Sequence, residues 1–167
     1  MPATLELYGK VMARVPGTSI RDQSGLLTQM RSVKEPRELE WLNKAMSATR
    51  AGHLAAMKAV KPGMTERQLR RVLEEGFANA GGTGLAYNSI VAAGRNAASL
   101  HYVVETGPIR DGDLVLIDAA AAVDGYACDV TRTFPANGRF TASQRADYEL
   151  VLAAQTAAAA TLKAGVS

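Results

Sequence analysis

A two-residue turn at Asp124-Gly125 limits the fold of this chain more than any other part of its sequence. Asp-Gly between two apolar segments favours a tight β-hairpin, because both turn residues adopt positive φ there. The flanking segments, 114–123 and 126–134, are rich in apolar residues. With Asp124-Gly125 as the whole turn, Asp118 faces Thr131 across the hairpin. The sequence therefore predicts an antiparallel pair of strands with a defined register.

Each predicted strand carries one acidic residue, and both acids fall on the same face. Side chains alternate between the two faces of a strand, so Asp118 and Asp129 share a face, and Ala120 lies opposite Asp129. Diagonal neighbours of this kind lie roughly 7–8 Å apart between backbones. The other face is apolar and is expected to pack on helices. It carries Ala119, Ala121, Val123, Tyr126, Cys128 and Val130.

Two carboxylates at this separation destabilise each other when they are partly removed from water. Shared protonation, an arginine partner or a bound metal ion would relieve the repulsion, and alternation places Arg132 on the opposite face. Oxygen ligands in an open cleft suit a hard or borderline divalent cation. The alternative is that both are ordinary edge-strand acids that face solvent. The apolar segment that runs into Asp118 favours a buried sheet, where unpaired acids are costly.

Two amphipathic segments predict helices ahead of the hairpin. The first begins at Pro36, which suits the first helical position, and ends at Lys61-Pro62-Gly63. The second begins after a capping box formed by Thr65 and Gln68 and ends at Gly81-Gly82. Spacings of three and four residues predict the buried face of the first helix. That face comprises Leu39, Leu42, Met46, Thr49, His53, Met57 and Val60.

An alanine-rich segment after the hairpin predicts a third helix. Thr141 and Gln144 form its capping box, and the helix is expected to run to about Lys163 and to pack on the sheet. The remaining predicted elements are short. They are strands over 88–94 and 97–103, and a strand with a loop within residues 1–33.

Composition and charge exclude several classes of protein. The chain of 167 residues is 47% hydrophobic and 21% charged, so it can bury a core. Its net charge is +3, but the basic residues are scattered, which argues against a nucleic-acid-binding protein. The single cysteine, Cys128, excludes an intramolecular disulfide and favours a reducing, cytoplasmic setting. The sequence lacks a signal peptide pattern and a segment able to span a membrane.

The hairpin and its surroundings resemble a known family. The segment "LIDAAAAVDGYACDVTRTFPANGRF", with "AYNSIVAAGRNAASLHY" and "RSVKEPRELEWLNKA" upstream, resembles the pita-bread metallopeptidases, most closely the Xaa-Pro aminopeptidases and prolidases. The resemblance covers roughly residues 25–167. It implies an α+β fold, half of a pita-bread domain, with an antiparallel sheet and helices packed on one face. Residues 1–24 would be the remnant of, or a linker from, a separate N-terminal domain.

The resemblance also implies an activity and a cofactor. The family's exopeptidases hydrolyse the bond before proline with a hydroxide that bridges two divalent metal ions. Manganese is the expected metal, and cobalt and zinc are the alternatives. Proline-containing peptides are the expected substrates, with no role for nucleic acid or a membrane.

Five residues match positions with known roles in the family. Asp118 matches the aspartate that chelates one ion, and Asp129 matches the aspartate that bridges both. Thr131 lies where a hydroxyl supports the metal-binding carboxylates. His101, in "LHY", matches a catalytic histidine that also contacts substrate. Tyr87 is expected near the wall of the substrate pocket.

The sequence departs from the family pattern in two ways, one substitution near the acids and the absence of further metal ligands. Ala120 replaces a glycine that the family usually has near this position. The family's other metal ligands, one histidine and two glutamates, come from the second half of the catalytic domain, and both histidines of this chain precede the hairpin. We therefore expect the isolated chain to be weakly active or inactive. The remainder of the domain would come from a separate chain or from a homo-oligomer.

Other functions remain open at the level of the sequence. The same fold without catalysis would serve as a binding module for peptides or proteins. Creatinase-type hydrolysis, which uses no metal, is a further reaction of this fold, and the match at both aspartates weighs against it. A basic nucleic-acid-associated protein ranks below both.

Overall fold

The computed structural model describes residues 3–19 and 21–166. Over these residues the chain forms five α-helices, six short β-strands and one 3-10 helix. The helices are α1 (Ala3–Arg14), α2 (Ser24–Ser32), α3 (Pro36–Ala59), α4 (Glu66–Asn79) and α5 (Ala142–Thr161). The strands are β1 (Gly84–Leu85), β2 (Ile90–Ala93), β3 (Leu114–Asp118), β4 (Ala121–Val123), β5 (Tyr126–Ala127) and β6 (Thr131–Pro135). The 3-10 helix spans Gly94–Ala98.

The chain divides into two compact units, Met1–Pro36 and Arg37–Ser167. In the first unit the predicted strand is wrong, because the described residues form α1 and α2, and a loop joins these two helices. Residues 1, 2 and 20 lie outside the described part. The apolar residues of α1 recur at helical rather than alternating spacing. Lys10 and Glu6 add an ion pair at 2.7 Å one turn apart, which favours a helix.

The second unit is built on α3 and α4, whose backbones approach closely. A methyl group added at Gly52 would lie 2.5 Å from the backbone oxygen of Leu73, and one added at Gly76 would lie 2.6 Å from the Cα of Gly52. The buried face of α3 accordingly consists mainly of small residues, and the predicted stripe is confirmed at Thr49 and His53. Leu39 and Met46 of that stripe are each 49% exposed. The buried residues of α3 are Ala45, Ala48, Thr49, Gly52, His53 and Ala56.

An antiparallel sheet of three strands, in the order β2-β3-β6, packs on these helices. Val115 and Ile117 of β3 are fully buried and face the core. Leu69, Leu73 and Phe77 of α4 belong to the same core cluster. Helices therefore cover one face of the sheet, as predicted.

The register predicted for the Asp124-Gly125 hairpin is confirmed. Asp118 pairs with Thr131 in the β3–β6 ladder, and β4 pairs with β5 on either side of the turn. Asp124 and Gly125 both have positive φ, 50° and 87°, as a tight turn of this type requires. The hairpin is interrupted between these ladders, where the amide of Ala119 still donates to the backbone oxygen of Val130 at 3.1 Å.

Two further predicted features of the second unit are wrong. Residues 97–103 do not form a strand, because the 3-10 helix is followed by an irregular loop in which His101 has a φ of 52°. Helix α5 has the predicted capping box, but none of its residues is buried. Its attachment is at its first turns, where Gln144 donates to the backbone oxygen of Gly112 at 2.8 Å. No helix among the described residues has the length and apolar character needed to cross a membrane.

The close crossing of α3 and α4 predicts a sharp response to one added methyl group. Gly52→Ala should destabilise the second unit by about 1–3 kcal/mol, because Phe77 and the backbone of α4 must move apart. Urea unfolding followed by circular dichroism would measure the change. Gly9→Ala, where no atom lies within 4 Å of the new methyl group, is the matched control. Equal stability of the two variants would contradict the close packing.

His53 predicts a pH-dependent stability. The side chain is buried, and its Nε2 lies 2.9 Å from the backbone oxygen of Ala119, which fits a neutral imidazole that donates from Nε2. Burial is the main cause that lowers the pKa of His53 below the ordinary value of 6.5. The unfolded chain therefore binds a proton below about pH 6.5 that the folded chain resists. Stability should be complete above that pH and fall as the pH drops below it.

Urea unfolding at pH 7.5 and pH 5.5 measures this effect. His53→Gln should lose less stability over that interval than the wild-type chain does, because glutamine does not titrate. An equal loss in both proteins would contradict the assignment to His53.

Candidate functional site

Three side chains meet on the open face of the hairpin. The phenol oxygen of Tyr87 lies 2.7 Å from Oδ1 of Asp118 and 2.9 Å from Oδ1 of Asp129. The amide of Val130 donates to the same phenol oxygen at 3.4 Å. A phenol has one proton to donate, so the two carboxylates compete for one hydroxyl. Both acids therefore point to a single place in the structure.

The strand pairings explain why these side chains converge. Asp118 is the last residue of β3, where it pairs with Ile90 on one side and with Thr131 on the other. Tyr87 follows β1, and the amide of Ala86 donates to the backbone oxygen of Ala120 at 2.9 Å. This bond holds the chain before Tyr87 beside the interruption of the hairpin. The phenol then reaches both acids.

The face that carries the acids is less open than the alanine-rich sequence suggests. Ala120 is fully buried, and the Tyr87 hydroxyl occupies the space that the two carboxylates share. Asp118 is half-buried and Asp129 is exposed. The two acids thus lie at the protein surface, where Asp118 is partly covered and Asp129 is open to solvent.

Burial is the main cause that raises the pKa of Tyr87, and its hydrogen bonds to Asp118 and Asp129 raise it further. The phenol therefore stays protonated at neutral pH and acts as a donor. Arginine does not relieve the repulsion between the acids, since Arg132 donates to the backbone oxygen of Thr131 at 2.7 Å. Over the described residues, neither carboxylate takes part in an ion pair.

The site offers part of what a divalent cation needs. Two convergent carboxylates are suitable ligands for a hard or borderline ion. Within residues 3–19 and 21–166, however, no group of three or more histidine, cysteine or acidic side chains is placed to hold a metal. The residues present therefore fit a portion of a metal site and leave further ligands to be supplied.

The other two predicted site residues lie outside this hydrogen-bonded cluster. Thr131 is the direct cross-strand partner of Asp118, and it is exposed. His101 is exposed in the loop after the 3-10 helix. In the part of the chain that the structure describes, His101 is not among the hydrogen-bond partners of Tyr87 or of the two acids.

Sequence reasoning missed the contact between Tyr87 and the acids. The family resemblance placed Tyr87 near the wall of the substrate pocket, and the hairpin register relates only the residues of the hairpin itself. The pairing of β1 with β4, in which Leu85 faces Ala121, brings the tyrosine in. A two-residue strand leaves no alternating pattern in the sequence that could have predicted this pairing.

Comparison with known proteins identifies the class to which this fold belongs. The chain has the α+β fold of the first half of a pita-bread metallopeptidase domain, as its structural neighbours show. Residues 40–167 match the model of metallopeptidase family M24. The chain belongs to this family.

Relatives of this chain include Xaa-Pro aminopeptidases. It is 42% identical over 150 residues to an Xaa-Pro aminopeptidase of Haemophilus influenzae and 43% identical over 137 residues to that of Escherichia coli. These matches cover 90% and 82% of this chain. They cover 35% and 31% of the relatives, so the chain spans about a third of their length.

Solved structures agree with these matches. The aminopeptidase PepP of Pseudomonas aeruginosa superposes with a TM-score of 0.80 at 44% identity, over 89% of this chain and 34% of that one. Proline aminopeptidase P II from Yersinia pestis gives a TM-score of 0.77 at 45% identity, over 79% of this chain and 30% of that one.

Removing the shared hydroxyl should weaken the fold around the acids. Tyr87→Phe is expected to cost about 1–2 kcal/mol at pH 7, because hydrogen bonds to charged groups are stronger than neutral ones. Urea unfolding measures the loss. Tyr148→Phe, whose ring packs on Phe140 at 5.2 Å, is the control and should stay within about 0.5 kcal/mol. A Tyr87→Phe variant as stable as the control would show that the contact contributes nothing.

Proposed function

We propose that this chain supplies the first half of the catalytic domain of an Xaa-Pro aminopeptidase or prolidase. Residues 25–167 form that half in this proposal, and residues 1–24 derive from a preceding domain. The observation that carries it is the convergence of Asp118 and Asp129 on one phenol oxygen. The acids of an ordinary solvated edge strand would have no reason to share a hydrogen-bond donor.

The two acids are the proposed metal ligands of this chain. Asp118 and Asp129 would hold the divalent ions, and Thr131, opposite Asp118 in the strand pairing, would support that carboxylate. Manganese is the proposed metal, with cobalt or zinc as alternatives. Such ions, when bound, lower the pKa of water and polarise a substrate carbonyl.

The roles of Tyr87 and His101 concern the substrate. The exposed imidazole of His101 is free to donate a hydrogen bond to a proline-containing peptide and to charge that develops on its carbonyl. Tyr87 holds the two carboxylates at one place and lines the pocket next to them. Its protonated phenol supplies a hydrogen-bond donor between the two carboxylates and so reduces their mutual repulsion.

The site requires ligands from elsewhere. Two carboxylates are fewer than two divalent ions need, so the activity would require the rest of the catalytic domain. The single cysteine supports a cytoplasmic location.

Metal titration tests the proposal. Isothermal titration with Mn²⁺ or Co²⁺ should give weak binding to the isolated chain, and Asp118→Asn or Asp129→Asn should weaken it by at least about tenfold, the loss that even indirect support of a metal ligand can bring. Asp147→Asn, an exposed acid of α5, is the control. Tight binding of two ions per wild-type chain would contradict the need for further ligands. Equal binding by all four proteins would remove the two acids from the site.

Hydrolysis of an Xaa-Pro tripeptide with added Mn²⁺ tests the activity. The chain alone should turn over slowly or not at all, and the chain with its natural complement should cleave before proline. Peptide binding without hydrolysis in the complete assembly would favour the alternative, a non-catalytic binding module.

A further inference from the structure

A second carboxylate, remote in sequence from the acids of the hairpin, is fully buried and completely hydrogen-bonded. Glu66 is the first residue of α4, and its side chain accepts four hydrogen bonds. Oε1 accepts from the amide of Ala93 at 2.9 Å and from Nδ2 of Asn96 at 3.0 Å. Oε2 accepts from the phenol of Tyr102 at 3.0 Å and from the amide of Gly107 at 2.8 Å. All four partners are donors, as a carboxylate requires.

Three of these donors belong to one segment, residues 94–107, here called the His101 loop. Asn96 lies in its first turn, Tyr102 in its middle and Gly107 at its end. The fourth donor, Ala93, is the residue just before the loop. The Glu66 side chain therefore joins the beginning, the middle and the end of the loop, which no backbone ladder of the sheet does.

The end of the loop approaches Glu66 so closely that any residue larger than glycine would displace the side chains of Glu66 and Asn96. The amide of Glu66 donates to the backbone oxygen of Gly107 at 3.0 Å. Each of the two residues therefore donates a hydrogen bond to the other. A methyl group on Gly107 would lie 2.6 Å from Nδ2 of Asn96 and 2.9 Å from Oε2 of Glu66. This close contact restricts the position of the end of the loop relative to Glu66.

Apolar packing contributes little to the position of the loop. Leu100, Val103 and Val104 are 89%, 68% and 59% exposed. A further polar contact of the loop is an ion pair between Arg70 of α4 and the buried carboxylate of Glu105. A loop without an apolar anchor depends on such polar contacts for a defined conformation.

His101 lies next to the residue that Glu66 holds. Its φ of 52° is unfavourable for a residue with a side chain, and such a conformation persists only where the surroundings impose it. Burial, followed by the hydrogen bond to Glu66, raises the pKa of Tyr102, so the phenol keeps the proton that it donates. The fixed phenol of Tyr102 thus constrains the backbone that carries the imidazole.

We propose that Glu66 is a positioning residue, whose carboxylate fixes the His101 loop and so sets the place of the His101 imidazole. The consequence for catalysis rests on the function proposed above, in which His101 contacts substrate. The structural part, that Glu66 orders the loop, stands apart from any activity.

The isosteric variant Glu66→Gln tests the proposal. A glutamine replaces one acceptor oxygen by an NH₂ group, which then faces two donors on that side. The phenol of Tyr102 can turn and accept, but the amide of Gly107 cannot. At least one anchor of the loop is therefore lost without a change of volume.

Nuclear magnetic resonance of the full chain with labelled histidine measures the effect. The chain has two histidines, and His53 in the core serves as an internal reference. Glu66→Gln should shift or broaden the His101 imidazole signal and leave that of His53 unchanged. Amide hydrogen exchange over the His101 loop should rise by about tenfold or more.

Glu75→Gln, an exposed residue of the same helix, is the matched control and should reproduce the wild-type spectrum and exchange. Tyr102→Phe removes one donor and should give the same change to a smaller extent, so it decides the matter if Glu66→Gln does not fold. A folded Glu66→Gln chain, or in its absence a Tyr102→Phe chain, with wild-type His101 signal and loop exchange would overturn the proposal.

Kinetics in the complete assembly separates this proposal from the proposed function. With an Xaa-Pro tripeptide and Mn²⁺, Glu66→Gln should lower kcat/KM by about tenfold or more, and Glu75→Gln should not. Wild-type hydrolysis with an unaffected Glu66→Gln variant would overturn the positioning role alone. Absence of hydrolysis in the wild type would refute the peptidase function, and the resonance and exchange results would still decide whether Glu66 orders the loop.

Discussion

The ladder between β3 and β6 is the constraint on which the candidate site depends. Its register places Asp118 opposite Thr131 and, through the tight turn, places Asp129 on the same side. A shift by one residue would turn one acid to the opposite face of the sheet. The Asp124-Gly125 turn, with both residues at positive φ, prevents that shift because few other residue pairs adopt its conformation. A local preference of two residues thereby fixes the distance between two charges.

The features that sequence could predict are those encoded over a few neighbouring residues. The register of the hairpin, the capping boxes at Thr65 and Thr141 and the bounds of α3 follow from short patterns, and the structure has them. The family followed from the same segments. The roles assigned to the site residues stay predictions, for Asp118, Asp129 and Tyr87 as much as for Thr131 and His101.

The features that sequence missed depend on contacts between distant segments. Glu66 follows the N-cap residue Thr65 and so lies in the first turn of a helix. Acids are common in that turn and are usually exposed, so the sequence does not mark Glu66 as buried. Its partners lie 27 to 41 residues away. The stripe predicted for α3 is confirmed at Thr49 and His53. It is wrong at Leu39 and Met46 for a related reason, since the approach of α4 at Gly52 favours small residues over large apolar ones. The exposed face of α5 likewise carries alanines that resemble those of a packed helix.

Helix α3 also links packing in the core to the geometry of the acids. Thr49 accepts from the amide of Ala121 at 2.9 Å, and His53 holds the backbone oxygen of Ala119. Both side chains flank Gly52, where the two helices touch. A larger side chain at this crossing would move α3 away from α4. The two hydrogen bonds would then displace the backbone at Ala119 and Ala121, which directly follows Asp118. The distance between the two carboxylates thus depends on the crossing of α3 and α4 at Gly52, a contact in which no charged group takes part.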